Sequence, residues 1–255
     1  MASMITIKNA REIESLKAAG RVVGDLLAYM RAQVVPGIAT RELDALGEKF
    51  ILDQGAIPAF KGLYGCPCSI LTSVNEEVVH GLPSRRRLKS GDIVSLDMGA
   101  IVDGFYADAA ISVPVGVVED PVVLRLLEET ERAMYLGIDQ VRVGRHIGDI
   151  GHAVQMHAEA FGFSIVKDYV GHGIGRQLHE PPQIPNYGDP ATGPRIQAGM
   201  AFAIEPMVNI GQPEVRTLAN RWTVVTRDRA WSAHFEHSVL CTDGDPVILT
   251  REAGR

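Results

Sequence analysis

Apolar positions recur at helical spacing near the start of the chain, and they predict a pair of helices. After Asn9, apolar side chains follow at intervals of three, four or seven residues, and Glu12 stands three positions after this candidate cap. The pattern predicts an amphipathic helix of about 22 residues, which ends before Pro36. A second helix is predicted over residues 40–54, where Gly55 follows as its stop.

The same arrangement of two helices returns in the second half of the chain. Helices are predicted over residues 120–137 and 147–161, and Pro121 suits the first turn of the former. A shift of 107 positions places three residues of the first pair on counterparts in the second, namely Gly37 on Gly144, Leu43 on Ile150 and Gly55 on Gly162. This indicates either two related halves, which would share a site at their interface, or a chance likeness between two helix pairs.

Runs of apolar and β-branched residues outside these helices predict strands. Residues 93–100 and 105–113 are joined by Asp103-Gly104, which is a strong signal for a two-residue hairpin loop. Further strands are predicted at 201–208, 223–226 and 234–242. Because no linker or block of charge divides the chain, we expect one domain over residues 1–255, with an antiparallel sheet and helices packed on one side.

The hairpin loop determines which of its residues face each other. Asp108 is expected opposite Gly99, and Asp97 lies two residues from Gly99 and so on the same face. Two carboxylates therefore converge on a largely apolar sheet, where their repulsion requires a proton or a cation. The alternative is an edge hairpin whose aspartates are solvated.

Composition limits the classes of protein to consider. Hydrophobic residues make up 46% of the 255 residues, which is enough for a large core. The net charge of −6 argues against a DNA-binding protein. No apolar run reaches the ~18 residues of a membrane span, and residues 1–8 lack a secretion-signal pattern. Three cysteines are too few for a disulfide framework, so we expect reduced thiols in a cytoplasmic protein.

The second half offers side chains that match the two hairpin aspartates. Glu205 lies within the apolar run 201–207, Glu236 enters a predicted strand, and His172 stands between glycines in 171–175. Four carboxylates with one imidazole suit hard or borderline divalent ions. Because four negative charges balance two such ions, the sequence predicts a dinuclear site that activates water and polarises a carbonyl.

Several short motifs follow one another along the chain in a characteristic order. They are 73–76 with His80, 97–99, 106–108, the run 169–179, 203–206 and Glu236-His237. Together they closely resemble the methionine aminopeptidases, in their short bacterial type I form, over residues 5–249. The resemblance implies an α+β pita-bread fold, in which two pseudo-symmetric halves form a curved antiparallel sheet covered by helices. This agrees with the shift of 107 positions.

The same resemblance implies an activity and a set of metal ligands. The activity is removal of the initiator methionine from nascent polypeptides after deformylation, with preference for a small second residue. Two divalent ions, Mn, Fe, Co or Zn, would assist the hydrolysis. Asp97 would hold one metal, Asp108 and Glu236 would bridge both, and His172 and Glu205 would complete the second.

Roles for further residues come from the resemblance as well. Glu205 would carry a proton to the leaving nitrogen. His179 would stabilise the developing oxyanion, and His80 would contact the substrate near its amine. The methionine side chain would be surrounded by Phe60, Leu63, Cys66, Leu178 and Trp222. His234 and His237 flank Glu236, so either could support a metal ligand.

Two positions depart from the family pattern. Cys66 stands where the family often has an aromatic residue, and Leu71 stands where it often has a cysteine. Either these changes leave turnover unaffected, or they give a roomier pocket with a different range of side chains.

Two other functions compete with this interpretation. One is an X-Pro aminopeptidase or prolidase of the same fold, although such relatives carry a large N-terminal domain. The other is a non-catalytic pita-bread module that binds peptides, although such members lose metal ligands. We expect a monomer that associates at most transiently with the ribosome and has no membrane partner.

Overall fold

A computed structural model of the chain describes residues 5–252, and it contains the four predicted helices. They are α1 (Ala10–Gln33), α2 (Thr40–Asp53), α3 (Pro121–Ile138) and α4 (Ile147–Ala160). Within the described range, none of these helices combines the length and apolar character that crossing a bilayer requires. Residues 1–4 and 253–255 lie outside the description, and with them part of the segment examined for a secretion signal.

The predicted cap of α1 is present in both directions. The Asn9 side chain accepts a hydrogen bond from the Glu12 backbone N–H at 3.1 Å. The Glu12 carboxylate accepts one from the Asn9 N–H at 3.0 Å. Two backbone donors that have no partner within the helix are thereby satisfied.

Helices α2 and α4 begin in the same way, 107 positions apart. The Ala39 N–H donates to the Glu42 carboxylate at 2.7 Å, and the His146 N–H donates to the Asp149 carboxylate at 2.7 Å. The glycine two residues before each cap has a positive φ, 95° in the first half and 89° in the second. The likeness seen in the sequence therefore extends to the backbone, which supports two related halves.

Within the described residues, strands of both halves join in a nine-stranded sheet, and other strands form two three-stranded sheets. The strand bounds are β1 (Ile57–Pro58), β2 (Ile70–Val74), β3 (Glu77–Val79), β4 (Ile93–Val102), β5 (Phe105–Pro114), β6 (Ser164–Ile165), β7 (Gly171–Gly173), β8 (Glu180–Ile184), β9 (Ala201–Ile204), β10 (Met207–Asn209), β11 (Val215–Thr217), β12 (Val224–Thr226), β13 (Ser232–His234), β14 (Glu236–Leu240) and β15 (Val247–Ile248). The order in the large sheet is β1-β4-β5-β14-β9-β7-β8, with β2 paired to β4 and β15 paired to β14.

The register of the β4–β5 hairpin is as predicted. Gly99 lies opposite Asp108, and Asp97 lies opposite Ala110. On the other side of β5, Ala110 pairs with Glu236 of β14. Asp97 and Glu236 therefore flank the same residue and share a face of the sheet, where Asp108 lies on the diagonal.

Two of the predicted strands are interrupted, which corrects the prediction for 201–208 and 234–242. The first breaks at Glu205-Pro206 and the second at Phe235. Pro206 has no N–H to donate to a ladder. In addition, β9 and β14 belong to the large sheet, whereas β10 and β13 pair with each other in a three-stranded sheet. The chain thus changes sheets at both breaks.

The helices pack on one face of the hairpin and leave the other face for polar groups. Leu96 and Met98 are fully buried in a core cluster with side chains of α1 and α2. Asp97 lies between them in sequence and so points to the opposite face. An equivalent apolar cluster lies beneath α3 and α4.

Candidate metal centre and substrate pocket

The five predicted ligands line one pocket of about 160 Å³. Asp97, Asp108 and Glu236 lie in β4, β5 and β14, His172 lies in β7, and Glu205 follows β9 directly. Ligand atoms of Asp108, His172 and Glu236 lie within 4.8 Å of one another. The Nε2 atom of His172 lies 3.4 Å from Oε1 of Glu205. The sheet therefore brings together acidic groups of both halves and one imidazole.

Glycines on both sides of His172 let its strand fit closely between neighbours. A Cβ atom at Gly171 would collide with the carbonyl oxygen of Ala203, and one at Gly173 with that of Pro181. The Nδ1 atom of His172 lies 2.9 Å from the Gly173 carbonyl oxygen. Because a carbonyl only accepts, Nδ1 carries the proton, and Nε2 keeps a lone pair for a ligand.

Three carboxylate oxygens at the centre of the pocket lack a hydrogen-bond partner within residues 5–252. They are Oδ1 of Asp97, Oδ1 of Asp108 and Oε1 of Glu236, all of them buried. A buried charge without a partner costs several kcal/mol. A bound cation would satisfy these oxygens together, and the oxygen-rich donor set fits a divalent ion.

The electrostatics of the pocket also favour a cation. Burial, followed by repulsion between neighbouring carboxylates, raises the pKa of Asp108, Glu205 and Glu236 well above the usual range. Burial and the nearby Cys66 raise the pKa of Asp97 to about 7. In the absence of an ion, this cluster would take up protons, so metal binding must displace them.

Two further predicted residues, His80 and His179, line the same pocket. The rings of His172 and His179 are in contact, with their centroids 4.5 Å apart. Burial, and secondarily His179, lowers the pKa of His80 to about 4. Burial also lowers the pKa of His179. Both side chains are consequently neutral at neutral pH, and each can donate one hydrogen bond.

The predicted side-chain pocket lies beside this acidic centre. All five of its residues line the cavity, namely Phe60, Leu63, Cys66, Leu178 and Trp222. Leu71, the second departure from the family pattern, lines it too.

The sequence analysis missed Tyr64, which also lines the pocket. Its side chain is 76% exposed and its φ is 50°, a left-handed conformation that a bulky residue rarely adopts. The ring stacks on His179 with centroids 5.8 Å apart, and the hydroxyl lies 3.5 Å from Nδ1 of that residue. In the sequence, the one indication that Tyr64 belongs to the pocket is its position next to Leu63, a predicted pocket residue.

The two histidines that flank Glu236 have different surroundings. His234 is buried, and its Nε2 lies 3.8 Å from Oε2 of Glu205. His237 instead lies 2.9 Å from the hydroxyl of Thr250 through Nδ1. Of this pair, His234 therefore approaches the predicted ligand Glu205, and His237 contacts Thr250.

The cysteines carry no disulfide. Cys66 and Cys68 are both buried, and their sulfur atoms are 3.6 Å apart. The hydrogen bond from Cys68 lowers the pKa of Cys66 to about 7. Cys241 lies in the separate core cluster beneath α3 and α4.

Comparison with known proteins connects this geometry to one family. The family model described as metallopeptidase family M24 matches residues 14–243. Methionine aminopeptidase 1 of Bacillus subtilis is 49% identical over 248 residues, which cover 97% of this chain and 100% of that protein. The crystal structure of methionine aminopeptidase from Thermotoga maritima has a TM-score of 0.96 and 44% identity, covering 98% of this chain and 100% of that one.

A prolidase is similar at the level of the fold alone. The prolidase from Pyrococcus horikoshii has a TM-score of 0.78 at 20% identity, and the match covers 96% of this chain but only 63% of the prolidase. The α+β pita-bread fold expected from the sequence is thus shared by both groups. The methionine aminopeptidases differ from the prolidase in their high sequence identity to this chain over nearly its full length. The chain therefore belongs to metallopeptidase family M24 and, within it, to the methionine aminopeptidases.

Proposed function

We propose that this chain removes the initiator methionine from new polypeptides by hydrolysing their first peptide bond. The observation that carries the proposal is one pocket in which a cluster of side chains able to hold a metal ion adjoins an apolar lining. Near-complete coverage of methionine aminopeptidases at 40–49% identity supports the same activity. We expect it to act in the cytoplasm, as a monomer, with at most transient ribosome association.

Two divalent ions fit the charge of the cluster. Asp97, Asp108, His172, Glu205 and Glu236 would together hold these ions. When bound, such ions would supply Lewis-acid polarisation of the scissile carbonyl and of the attacking water. Mn, Fe, Co and Zn are all compatible with this donor set.

The remaining steps belong to the side chains of this protein. Glu205 accepts a proton from the attacking water and delivers it to the nitrogen of the leaving peptide. His179, neutral and at the rim of the centre, donates a hydrogen bond to the carbonyl oxygen as negative charge develops there. His80 contacts the substrate near its amine and the scissile amide. The methionine side chain is surrounded by the lining residues Phe60, Leu63, Cys66, Leu178 and Trp222.

The position of the amine sets a requirement on the substrate. A free α-amine would lie near the ion that Asp97 holds, and a formyl group there would block it. The chain would therefore act after deformylation. We also expect a small second residue, as the resemblance implies.

The test is peptide hydrolysis after removal of metal with a chelator and readdition of Mn, Fe, Co or Zn singly. We expect cleavage of a Met-Ala-Ser peptide to depend on the added ion, with little cleavage of an X-Pro peptide. Preferential cleavage of the X-Pro peptide would favour the prolidase interpretation. Absence of hydrolysis with all four ions would favour a non-catalytic binding module.

A further inference from the structure

The wall of the substrate pocket contains a pair of thiols that the proposed function does not require. Cys66 lines the pocket, whereas Cys68 lies behind it and is 3% exposed. Their sulfur atoms are in contact at 3.6 Å, and Cys66 donates a weak hydrogen bond to the Cys68 carbonyl oxygen at 3.5 Å. A single residue, Pro67, separates them.

The backbone anchors these thiols on opposite sides. On one side, a tight turn is closed by the Gly62 N–H, which donates to the Cys66 carbonyl oxygen at 2.8 Å. On the other side, the N–H groups of Ser69 and Ile70 donate to one carboxylate oxygen of Asp44 at 2.8 and 2.9 Å. Backbone hydrogen bonds thus hold the segments on both sides of the pair, so a disulfide that bends the backbone from Cys66 to Cys68 would shift the turn or the segment bound to Asp44.

We propose that Cys66 and Cys68 form a reversible oxidation site that reshapes the methionine pocket. A disulfide needs its sulfurs about 2.05 Å apart, so the present contact must shorten by roughly 1.5 Å. The turn that ends at Cys66 also carries Leu63, which lines the pocket, and Tyr64, which stacks on His179. Closing the disulfide would displace this turn and with it the pocket lining.

The oxidant would be a peroxide that enters through the open pocket. The sulfur of Cys66 attacks one peroxide oxygen, and the O–O bond breaks. The departing hydroxide takes the thiol proton and leaves as water, and a sulfenic acid remains on Cys66. The sulfur of Cys68 then attacks that of Cys66; the S–S bond forms as the S–O bond breaks, and the proton of Cys68 leaves with the second water. Two thiols are oxidised by two electrons, and one peroxide is reduced to two waters.

The first test measures the thiols and does not depend on the activity. The full chain is treated with hydrogen peroxide, alkylated and digested. The mass of the peptide that contains Cys66 and Cys68 is then measured by mass spectrometry. We expect that peptide to lose two hydrogens, to resist alkylation, and to recover both thiols after dithiothreitol. Cys241 should stay alkylatable after unfolding. Two free thiols on the treated peptide, or only sulfinic acid on Cys66, would overturn the proposal.

Cys68→Ser provides the decisive variant, and Cys241→Ser is the matched control because it removes another buried cysteine far from the turn. Cys68→Ser should lose the mass change, whereas Cys241→Ser should keep it. An unchanged mass loss in Cys68→Ser would overturn the assignment of the pair.

The effect on turnover rests on the proposed function and is measured separately. Oxidation should lower kcat/KM for Met-Ala-Ser by up to about a hundredfold, which is what a displacement of about 1 Å near a reacting substrate can cost. Dithiothreitol should restore the wild-type protein. Cys68→Ser cannot form the disulfide, so its Cys66 sulfenic acid should go on to sulfinic acid, and dithiothreitol should not restore its activity. Equal recovery of both proteins would show that the pair does not control the pocket. A disulfide in a protein without aminopeptidase activity would support the oxidation site and contradict the proposed function.

Discussion

The two halves of the molecule share a helix pair but contribute differently to the pocket. Asp97 and Asp108 lie well inside β4 and β5, two paired strands of 10 residues each. Glu205 and Glu236 lie at strand ends, where the chain changes sheets. The longer glutamate side chains thus belong to the half with shorter and more irregular strands.

Histidines reinforce this difference. His172 and His179 come from the second half, whereas the first half contributes His80. The duplicated scaffold therefore does not carry duplicated chemistry. The first half provides two aspartates on paired strands, and the second provides the imidazole that would ligate a metal and the groups that would move a proton or stabilise charge.

The largest loss of activity is expected at Glu205, because this residue of the second half would carry the proton. Glu205→Gln keeps the size of the side chain but removes its ability to accept a proton, so kcat should fall by about 10²–10⁴. Circular dichroism should show an unchanged fold. Wild-type turnover in this variant would refute the proton-transfer role and weaken the contrast between the halves.

A somewhat smaller loss is expected at His179. His179→Ala removes one hydrogen-bond donor to the developing oxyanion and should lower kcat by about 10²–10³. Tyr64→Phe is a useful companion, because it keeps the ring that stacks on His179 but removes the hydroxyl. If His179→Ala hydrolysed Met-Ala-Ser at the normal rate, the oxyanion would have to be stabilised by another group.

Metal affinity tests whether both halves hold the same ions. Asp108→Asn and Glu236→Gln each remove one charged ligand, from the first and second half respectively. Because even indirect partners of a ligand are worth 10–100-fold in affinity, each variant should lose at least about a hundredfold, as measured by titration with Mn²⁺. A large loss in one variant alone would mean that a single half holds the ions.

The pH dependence of metal binding should follow from the shifted carboxylates. Burial raises the pKa values of Asp108, Glu205 and Glu236, and it raises that of Asp97 to about 7, so the folded, metal-free protein binds protons at this cluster more tightly than free carboxylates do. An ion must displace these protons, so its affinity rises with pH, and each tenfold gain adds about 1.4 kcal/mol to the stabilisation of the fold. The increase in Tm on adding Mn²⁺ should therefore be larger at pH 8 than at pH 6. A shift that does not change with pH would contradict the protonated cluster.

The smallest effects concern the equivalent helix caps. Glu42→Ala and Asp149→Ala should each lower the free energy of unfolding by about 1 kcal/mol. Asp149 also accepts a hydrogen bond from the Ala191 N–H at 2.8 Å. Within residues 5–252, Glu42 accepts one backbone hydrogen bond, from Ala39, and its further partner is the exposed Arg87 at 3.9 Å. We therefore expect Asp149→Ala to be the more damaging in urea unfolding. The reverse order would show that the extra bond contributes nothing.

Local signals in the sequence were sufficient for the helices and the hairpin. The cap at Asn9 and the loop at Asp103-Gly104 each act within a few residues, so their outcome hardly depends on the rest of the chain. The register of the hairpin in turn determines that Asp97 and Asp108 share one face of the sheet.

The strand breaks and the short glycine-containing strands could not be predicted in this way. Apolar residues continue through Glu205-Pro206, so the pattern itself does not show that the chain moves to another sheet there. Strand β7 has only three residues, two of them glycines, and its pairing with β9 is visible only in the tertiary structure. Convergence of the site residues was expected through the family resemblance, and their individual roles stay predictions.

The seam between β5 and β14 joins the two halves within one continuous sheet. Since Asp108 lies on one side of this seam and Glu236 on the other, an ion held by both must bind more tightly when the halves are docked. By thermodynamic linkage, the ion then strengthens the docking by the same factor. Depletion of metal would thus weaken the contact between the two halves as well as abolish the hydrolytic activity.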